Sequence, residues 1–415
     1  MLDIFEIGAA VVFVAIAAEV CFSAIREISR FRVARQRRDL ELNVFQAKAE
    51  TLIQFEQQRR EQAAQTWVGK RKFRIIDKAV ENASGSICSF QLVPHDGKSI
   101  PPFRAGQYLT FVLRVPGRGV VVRCYSISSS PGNRAFYQVS VKKLAPHRDA
   151  DGQEVPTASG FMHNLAVGDI VDVIAPTGAF ALDEISEKPL VLIGGGVGIT
   201  PLMSMLHQVA EATQIRQTHL FYCARNKDDQ IWSRQLQEMA ELHPQIHVTM
   251  VLSQATDEAS TTSRHLSIKT LQEQLGSTNY QFYVCGPSGL MEKIIPGLYD
   301  WGVPKADVNY EAFNQDLLKA LRSRLQESQG AACGVRFSRS AQLLNWQEGD
   351  GTVLELAEAG NIKIPVGCRA GNCGTCVTTL KEGRVEYLRP PGFKPETGTC
   401  LACVAFPVGD IVVDA

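Results

Sequence analysis

The sequence predicts a multidomain protein with an N-terminal transmembrane helix, a second long helix, an antiparallel β-barrel, an α/β domain with a parallel sheet and a small α+β domain. Three observations predict this class. An apolar run followed by arginines lies near the N-terminus, short apolar strands then alternate with Gly, Pro and Asn turns, and a buried-strand run leads into a glycine-rich turn and a helix. The 415 residues allow about three globular domains, at roughly 100 to 200 residues each.

Residues 1–25 are predicted to form a membrane anchor helix. The apolar run Ile7–Ala18 is extended past Glu19 to Ile25, which gives about 19 residues, near the minimum for a spanning helix. Six arginines between positions 26 and 38 follow it. This bias predicts a single-pass protein of the cytoplasmic membrane with its catalytic domains facing the cytoplasm. A helix lying at the lipid interface and a soluble packed helix are the alternatives. Contact between Glu19 and a membrane partner stays open.

Residues 26–69 are predicted to form a juxtamembrane helix, because Arg26 to Thr66 contain neither proline nor glycine. The whole chain carries 43 basic and 43 acidic side chains, so its formal charge is zero. No overall positive field favours nucleic acid as a partner.

Residues 70–183 have the texture of a β-barrel, with strands such as Phe73–Ile76 and Tyr108–Val115. Arg123, Tyr125 and Ser126 stand in the order Arg-x-Tyr-Ser. An arginine can neutralise a phosphate, a tyrosine can pack on a flavin ring and a serine can hydrogen-bond near flavin N5. This segment resembles the ferredoxin-NADP reductase superfamily, whose flavin motif has this order. A half-exposed strand is the simpler alternative.

The resemblance continues at Ser159–Asn164, where the superfamily opens a helix over the flavin pyrophosphate. It implies FAD as the cofactor and Gly160, Phe161 and Met162 as part of its site. FMN stays the alternative, because His163 stands where the family often has Ser or Thr. We expect His163 itself to be a surface cap.

Residues 184–313 predict a nucleotide-binding α/β domain. The apolar strand Leu190–Ile193 leads into a glycine turn and an apolar helix, the arrangement that holds a pyrophosphate at a helix N-terminus. A plain tight turn is the alternative. The candidate cofactor-binding residues are Gly195, Gly196, Gly198, Thr200 and Pro201.

The reductase resemblance adds residues at the ends of later strands. It implies that Arg225 lies near the dinucleotide, that Cys285 lies beside the nicotinamide and that Gly286 and Pro287 lie beneath it. It places Glu311 and Phe313 near the flavin, and the candidate catalytic residues are then Ser126, Cys285 and Glu311.

NADH is favoured over NADPH as the donor. No arginine follows Ser253 to hold a 2′-phosphate, and Asp228 and Asp229 would repel one. NADPH stays the alternative, with Arg264 as the compensating cation.

After a helical linker predicted over 314–331, residues 332–415 contain four cysteines in the spacing C-x4-C-x2-C and then C after 26 residues. This spacing is typical of a [2Fe-2S] cluster with Cys368, Cys373, Cys376 and Cys403 as ligands, and Cys400 is the competitor for the last place. Unrelated structural thiols are the simpler reading. From Cys333 to Ala415 the chain resembles plant-type ferredoxins, which implies a β-grasp-like α+β fold.

The domain order is similar to that of reductase components of multicomponent oxygenases. The resemblance implies a membrane-anchored reductase that passes electrons from NADH through FAD and the cluster to an oxygenase, hydroxylase or desaturase. Reduction of quinone or a cytochrome in a respiratory complex is the alternative, and a non-enzymatic assembly subunit is a third hypothesis. No hydrolase constellation appears in the sequence, so further chemistry belongs to a partner.

Overall fold

A computed structural model describes residues 67, 69–148, 153–254, 265–313, 332–347, 349–369, 371, 373–387, 391 and 393–415. The predicted anchor helix, the linker and nearly all of the predicted juxtamembrane helix lie outside the described residues. None of the helices in these ranges is long and apolar enough to cross a membrane. The three domains that follow belong to one compact unit, Gln65–Ala415.

The first domain is an antiparallel β-barrel, as predicted. Its six strands follow the order β4-β3-β8-β1-β2-β5, and an Ile127–Val139 bridge links the two edge strands into a closed barrel. Alternating side chains fill its interior, as the period of two requires. A two-stranded ribbon of β6 and β7 and one short helix, α1, follow β5. The elements are β1 (Lys70–Val80), β2 (Ile87–Pro94), β3 (Tyr108–Val115), β4 (Gly119–Ser126), β5 (Tyr137–Lys142), β6 (His147–Arg148), β7 (Glu154–Val155), α1 (Ala158–Asn164) and β8 (Ile170–Thr177).

The second domain is a five-stranded parallel sheet with strand order β11-β10-β9-β12-β13. The chain first adds strands on one side of β9 and then on the other, so the order reverses between β9 and β12. Ligands of open α/β sheets bind at such a reversal, beyond the carboxyl ends of the strands. The elements are β9 (Leu190–Gly195), α2 (Ile199–Glu211), β10 (Thr218–Ala224), α3 (Ser233–Leu242), β11 (Ile246–Leu252), α4 (Ile268–Leu275), β12 (Gln281–Cys285), α5 (Ser288–Asp300) and β13 (Val308–Glu311).

Arg216 ties the segment between the barrel and the nucleotide domain to the sheet. Its guanidinium donates to the carbonyls of Asp183 and Lys188 and to the side chain of Gln281. Gln281 in turn donates to the Asp183 carboxylate at 3.1 Å. Because a guanidinium presents a fixed fork of donors, this network holds the two domains in one orientation.

The third domain combines a five-stranded sheet with one helix, in the strand order β15-β14-β18-β16-β17. Strands β14 and β18 are parallel and the other pairs are antiparallel. Thr352 and Glu355 form a reciprocal capping box that starts the helix. The elements are β14 (Cys333–Phe337), β15 (Gln342–Trp346), α6 (Val353–Ala359), β16 (Val377–Glu386), β17 (Thr399–Leu401) and β18 (Phe406–Val413).

One continuous cluster of buried apolar side chains extends from the nucleotide domain into the third domain. It includes Phe282 and Leu298 on one side and Val335, Trp346 and Leu354 on the other. Such a shared core favours one fixed arrangement of the two domains, because separating them would expose apolar surface to water.

Candidate functional site

The barrel and the nucleotide domain border a cavity of about 490 Å³. The predicted flavin residues Arg123, Tyr125 and Ser126 line it at the end of β4, and Thr200, Glu311 and Phe313 line it from the nucleotide domain. The structure therefore brings together the predicted flavin motif and the end of β13, which are far apart in the sequence.

The Tyr125 side chain provides a test of whether a flavin fits here. Its ring packs edge to face on Phe111, with centroids 5.3 Å apart. Its hydroxyl is buried and has no hydrogen-bond partner among the described residues. Burial raises the pKa of this phenol, so it stays neutral and can donate a hydrogen bond. A buried polar atom without a partner is costly unless a ligand satisfies it, so this residue fits a polar cofactor.

The charges around the cavity also fit a phosphorylated cofactor. Arg118, Arg123 and Lys142 line it, against the single carboxylate of Glu311. The excess of cations is suited to flavin phosphates. Lys142 and Arg118 were missed by the sequence interpretation, although Ser140 and Lys142 both line the cavity and lie two apart on β5, as residues on one strand face do.

The helix after the barrel ribbon begins earlier than predicted. Helix α1 starts at Ala158, and the Thr157 side chain caps it by accepting from the Gly160 N–H at 3.0 Å. The cavity is therefore lined by Thr157, Ala158 and Ser159, and the structure does not bring Gly160, Phe161 and Met162 to its wall. Met162 is wholly buried in the barrel core instead.

His163 is not the surface cap that was expected. Its ring is half buried, and Nε2 lies 2.7 Å from the carbonyl oxygen of Val141. Burial lowers the pKa of this imidazole, so the neutral ring fixes α1 against β5.

A second cavity, of about 510 Å³, lies beyond the carboxyl ends of the parallel strands. Gly195, Gly196, Arg225 and Pro287 line it, as predicted for nucleotide-binding residues. Gly196 has φ +54 and open space where a Cβ would stand, which leaves its backbone accessible.

The remaining predicted nucleotide residues have packing roles in this structure. A Cβ on Gly198 would lie 2.3 Å from the Cys285 carbonyl oxygen, so a glycine is needed for the two turns to approach each other. Gly286 similarly packs against the Gly195 backbone. Cys285 is completely buried at the end of β12 and does not line either cavity. Pro201 is buried in the first turn of α2.

Charged side chains in the nucleotide cavity fall into two groups. Arg225 is paired with Asp229, with Nε 2.7 Å from the carboxylate oxygen. Lys142 and Lys293 also line the cavity, and within the described ranges neither makes a hydrogen bond or an ion pair. Lys293 was missed by the sequence interpretation, although it lies four residues after Gly289 on the same face of α5.

The cysteine loop bends through left-handed backbone positions, as predicted from its glycines. Gly371 and Gly374 have φ +73 and +71, and Arg369 has φ +55. The Arg369 guanidinium is held by the Glu358 carboxylate on α6. The bend directs the N–H of Cys373 at the sulfur of Cys368, 3.3 Å away, and the N–H of Cys368 at the sulfur of Cys373, 3.2 Å away.

The four predicted ligands lie as two close pairs. The Cys376 and Cys403 sulfurs are 3.0 Å apart, and Cys368 and Cys373 form the other pair. No group of three or more potential ligands in the described part of the chain is already gathered around one metal position. The donor set still fits a thiolate-held cluster, because backbone N–H groups already point at two of the sulfurs.

Cys400 lies on β17 opposite Thr378 and is completely buried. Burial raises the pKa of its thiol to about 12, which keeps it protonated. The contact of the Cys376 sulfur with Cys403 is what favours Cys403 over Cys400 as the fourth ligand.

These features define an oxidoreductase with flavin, pyridine-nucleotide and iron-sulfur sites. The family model of the oxidoreductase FAD-binding domain matches residues 72–182, that of the oxidoreductase NAD-binding domain matches 192–295, and that of the 2Fe-2S iron-sulfur cluster binding domain matches 336–408. The chain therefore carries the domains of an NAD(P)H-dependent flavin iron-sulfur oxidoreductase, with FAD and a [2Fe-2S] cluster as its cofactors.

Known proteins match this chain over all or part of the described domains. The match to the structure of phthalate dioxygenase reductase covers 84% of this chain and 98% of that chain, with 26% identity and a TM-score of 0.51. The match to the Amycolatopsis cytochrome P450 reductase GcoB covers 59% of this chain and 70% of that chain, with 25% identity and a TM-score of 0.50. A flavohemoprotein of Oceanobacillus iheyensis is 34% identical over 250 residues, 60% of each chain. The chain thus spans about 60% of the length of this relative.

The ligand assignment leads to a prediction about two neighbouring cysteines. Cys403→Ser should remove most of the bound iron and the visible cluster absorbance, because a ligand sulfur is lost. Cys400→Ser is the matched control and should retain both. Iron analysis and electron paramagnetic resonance (EPR) of the reduced protein measure the result. Iron loss in the Cys400 variant with retention in the Cys403 variant would reverse the assignment.

Proposed function

We propose that this protein is a membrane-anchored NADH-dependent reductase that passes electrons through FAD and a [2Fe-2S] cluster to a partner oxygenase, hydroxylase or desaturase. The observation that carries the proposal is the composition of the flavin cavity wall. Cys368, a predicted cluster ligand, lines the same cavity as Tyr125 and Ser126. A flavin held by these residues would lie next to a cluster held by Cys368, which suits direct electron transfer.

The bound flavin supplies the chemistry that joins a two-electron donor to a one-electron acceptor. The residues of the chain would bind and orient it. Arg118 and Arg123 would neutralise its phosphates, and Tyr125 would pack on its ring system. Ser126 is buried in the cavity wall, where its hydroxyl would hydrogen-bond the ring, and the buried Glu311 would hold or move a proton there.

Two similar structures support an oxygenase as the acceptor. Their names describe a phthalate dioxygenase reductase and a cytochrome P450 reductase, so both serve oxygenases. The first also covers the cluster domain of this chain, since it spans 84% of it. A partner oxygenase is therefore favoured over a respiratory quinone.

An anaerobic titration with NADH tests the electron path. The detergent-purified protein should show bleaching of both the flavin and the cluster bands as NADH is added, because electrons pass from one site to the other. NADPH serves as the comparison donor. If neither band responds to either donor, the reductase function is wrong. Copurification of a diiron or Rieske protein with the reductase would support the oxygenase assignment, and NADH oxidation that depends on added quinone would contradict it.

The membrane anchor is proposed from the apolar run and the arginines that follow it. The full chain should remain in carbonate-washed membranes, and a chain that starts after residue 25 should be released with its NADH oxidation intact. The double variant Val12→Asp, Ile16→Asp keeps the full length and is the control. It should be released like the shortened chain, since each aspartate at a helix centre costs about 2.5 to 3.5 kcal/mol on insertion. Membrane retention of the truncated chain, or release of the unaltered chain by carbonate, would contradict spanning.

The preference for NADH is proposed from the Arg225–Asp229 ion pair, because the carboxylate beside this arginine would repel a 2′-phosphate. Asp229→Ala should free Arg225 and raise kcat/KM for NADPH about tenfold, since a hydrogen bond to a charged group contributes about 1.5 to 3 kcal/mol. Asp228→Ala is the matched control, because Asp228 is exposed and does not line the cavity. An equal response of the two variants, or none, would contradict this role of the pair.

A further inference from the structure

Tyr108 is a buried aromatic residue of the flavin cavity that the sequence interpretation did not select. It is the first residue of β3 and is only 2% exposed. Its backbone lies opposite Ser126 of β4 on one side and opposite Thr177 of β8 on the other. Directly opposed residues of antiparallel strands present their side chains on the same face. Tyr108 therefore lies beside Ser126 at the end of the barrel that meets the flavin cavity.

The space for the Tyr108 ring is provided by a glycine. A Cβ on Gly178 would lie 2.8 Å from Cε1 of the ring, and Gly178 has φ +136, a conformation that other residues rarely adopt. The ring is thus enclosed on this side by backbone. Such close packing fixes its position, because a side chain with backbone against its face has little room to rotate.

The other side of Tyr108 meets the residues that connect the flavin site to the cluster. Tyr108, Glu311 and Cys368 line one cavity. The pKa of the Tyr108 phenol is raised well above its ordinary value, chiefly by burial and then by the nearby charges of Cys124, Glu311 and Cys368. Tyr108 therefore shares a cavity wall with a predicted cluster ligand and lies directly opposite the serine of the flavin motif.

We propose that the Tyr108 ring is a positioning residue for electron transfer from flavin to cluster: it fills the space between the flavin site and Cys368 and holds the two at a short distance. This inference rests on the proposed function. The step is the transfer of one electron, in which the reduced flavin loses the electron, the oxidised cluster gains it and no covalent bond forms or breaks. NADH supplies the electrons through the flavin.

The role belongs to the ring, because its packing excludes water and fixes the gap between the sites. The Tyr108 hydroxyl is buried and has no hydrogen-bond partner among the described residues, so its contribution has to be separated from that of the ring. Tyr108→Phe keeps the ring and removes only the hydroxyl, and Tyr108→Leu removes the ring while leaving an apolar side chain on β3. The two variants therefore separate packing from hydrogen bonding.

The experiment mixes each loaded holoenzyme with NADH anaerobically and follows the flavin and cluster bands in a stopped-flow instrument. Freeze-quenched samples report the EPR signal of the reduced cluster over the same times. In Tyr108→Leu the ratio of the cluster reduction rate to the flavin reduction rate should fall about tenfold or more, because the lost ring no longer holds the two electron-transfer sites in position. Tyr108→Phe should keep the ratio of the unaltered protein, because it retains the ring.

Tyr137→Leu is the matched control for general damage to the barrel. Tyr137 is a completely buried tyrosine of β5, packs on Phe73 and Phe103, and lies outside the cavity wall. Its variant should destabilise the barrel without lowering the ratio. The dithionite-reduced EPR spectrum shows in each variant whether the cluster itself is intact.

The outcomes are distinct. An unchanged ratio in Tyr108→Leu, an equal fall in Tyr137→Leu, or a fall in Tyr108→Phe as large as that in Tyr108→Leu would overturn the inference. If the unaltered protein bleaches neither band, the proposed function fails, and the inference about Tyr108 fails with it. Normal bleaching in the unaltered protein with equal ratios in all variants would sink the role of Tyr108 alone.

Discussion

Electron transfer between two buried groups requires a short separation, and the proposed electron path has to meet that requirement at Cys368. The residue lies in the wall of the flavin cavity, between the end of the barrel and the end of the nucleotide sheet. All three domains contribute residues to this place. The barrel supplies the start of β3, the end of β4 and part of β5, the nucleotide domain supplies Thr200 and Glu311, and the third domain supplies Cys368.

Keeping three domains at one point demands a rigid arrangement, and two features provide it. Arg216 joins the connecting segment to the sheet through four donated hydrogen bonds to three residues. The apolar core shared by Phe282 and Trp346 joins the nucleotide domain to the third domain. Because apolar contacts are not directional and guanidinium bonds are, the first feature sets the orientation and the second adds stability.

The sequence was sufficient to predict the architecture from Lys70 onward, because strong local signals mark each element. Strand β9 consists of the predicted run Leu190–Ile193 and the two glycines that follow it. Strand β3 has the predicted bounds, Tyr108–Val115. Strand β18 contains Pro407 and Gly409, which look like turn residues in the sequence. Its partner β16 accommodates them with register shifts near Gly383, which only the tertiary pairing reveals.

Residue roles were harder to predict than elements. Gly198 looks like a phosphate-binding glycine in the sequence, yet its missing side chain is needed for contact with the Cys285 carbonyl. Both explanations require glycine at the same place, so the sequence alone could not separate them. Lys142 and Lys293 were missed for a different reason, because each reaches the nucleotide cavity from an element that carries no motif.

These two lysines complete the argument about the donor. A pyrophosphate carries two negative charges, and the nucleotide cavity contains two lysines that the described residues leave unpaired. The remaining arginine, Arg225, is neutralised by Asp229. NADPH would bring a further phosphate with about 1.5 to 2 charges near neutral pH, as other phosphate monoesters do. The Asp229 carboxylate beside Arg225 would repel that phosphate, and this cost falls on NADPH and not on NADH. The charge distribution thus favours NADH over NADPH, even though the cavity as a whole is basic.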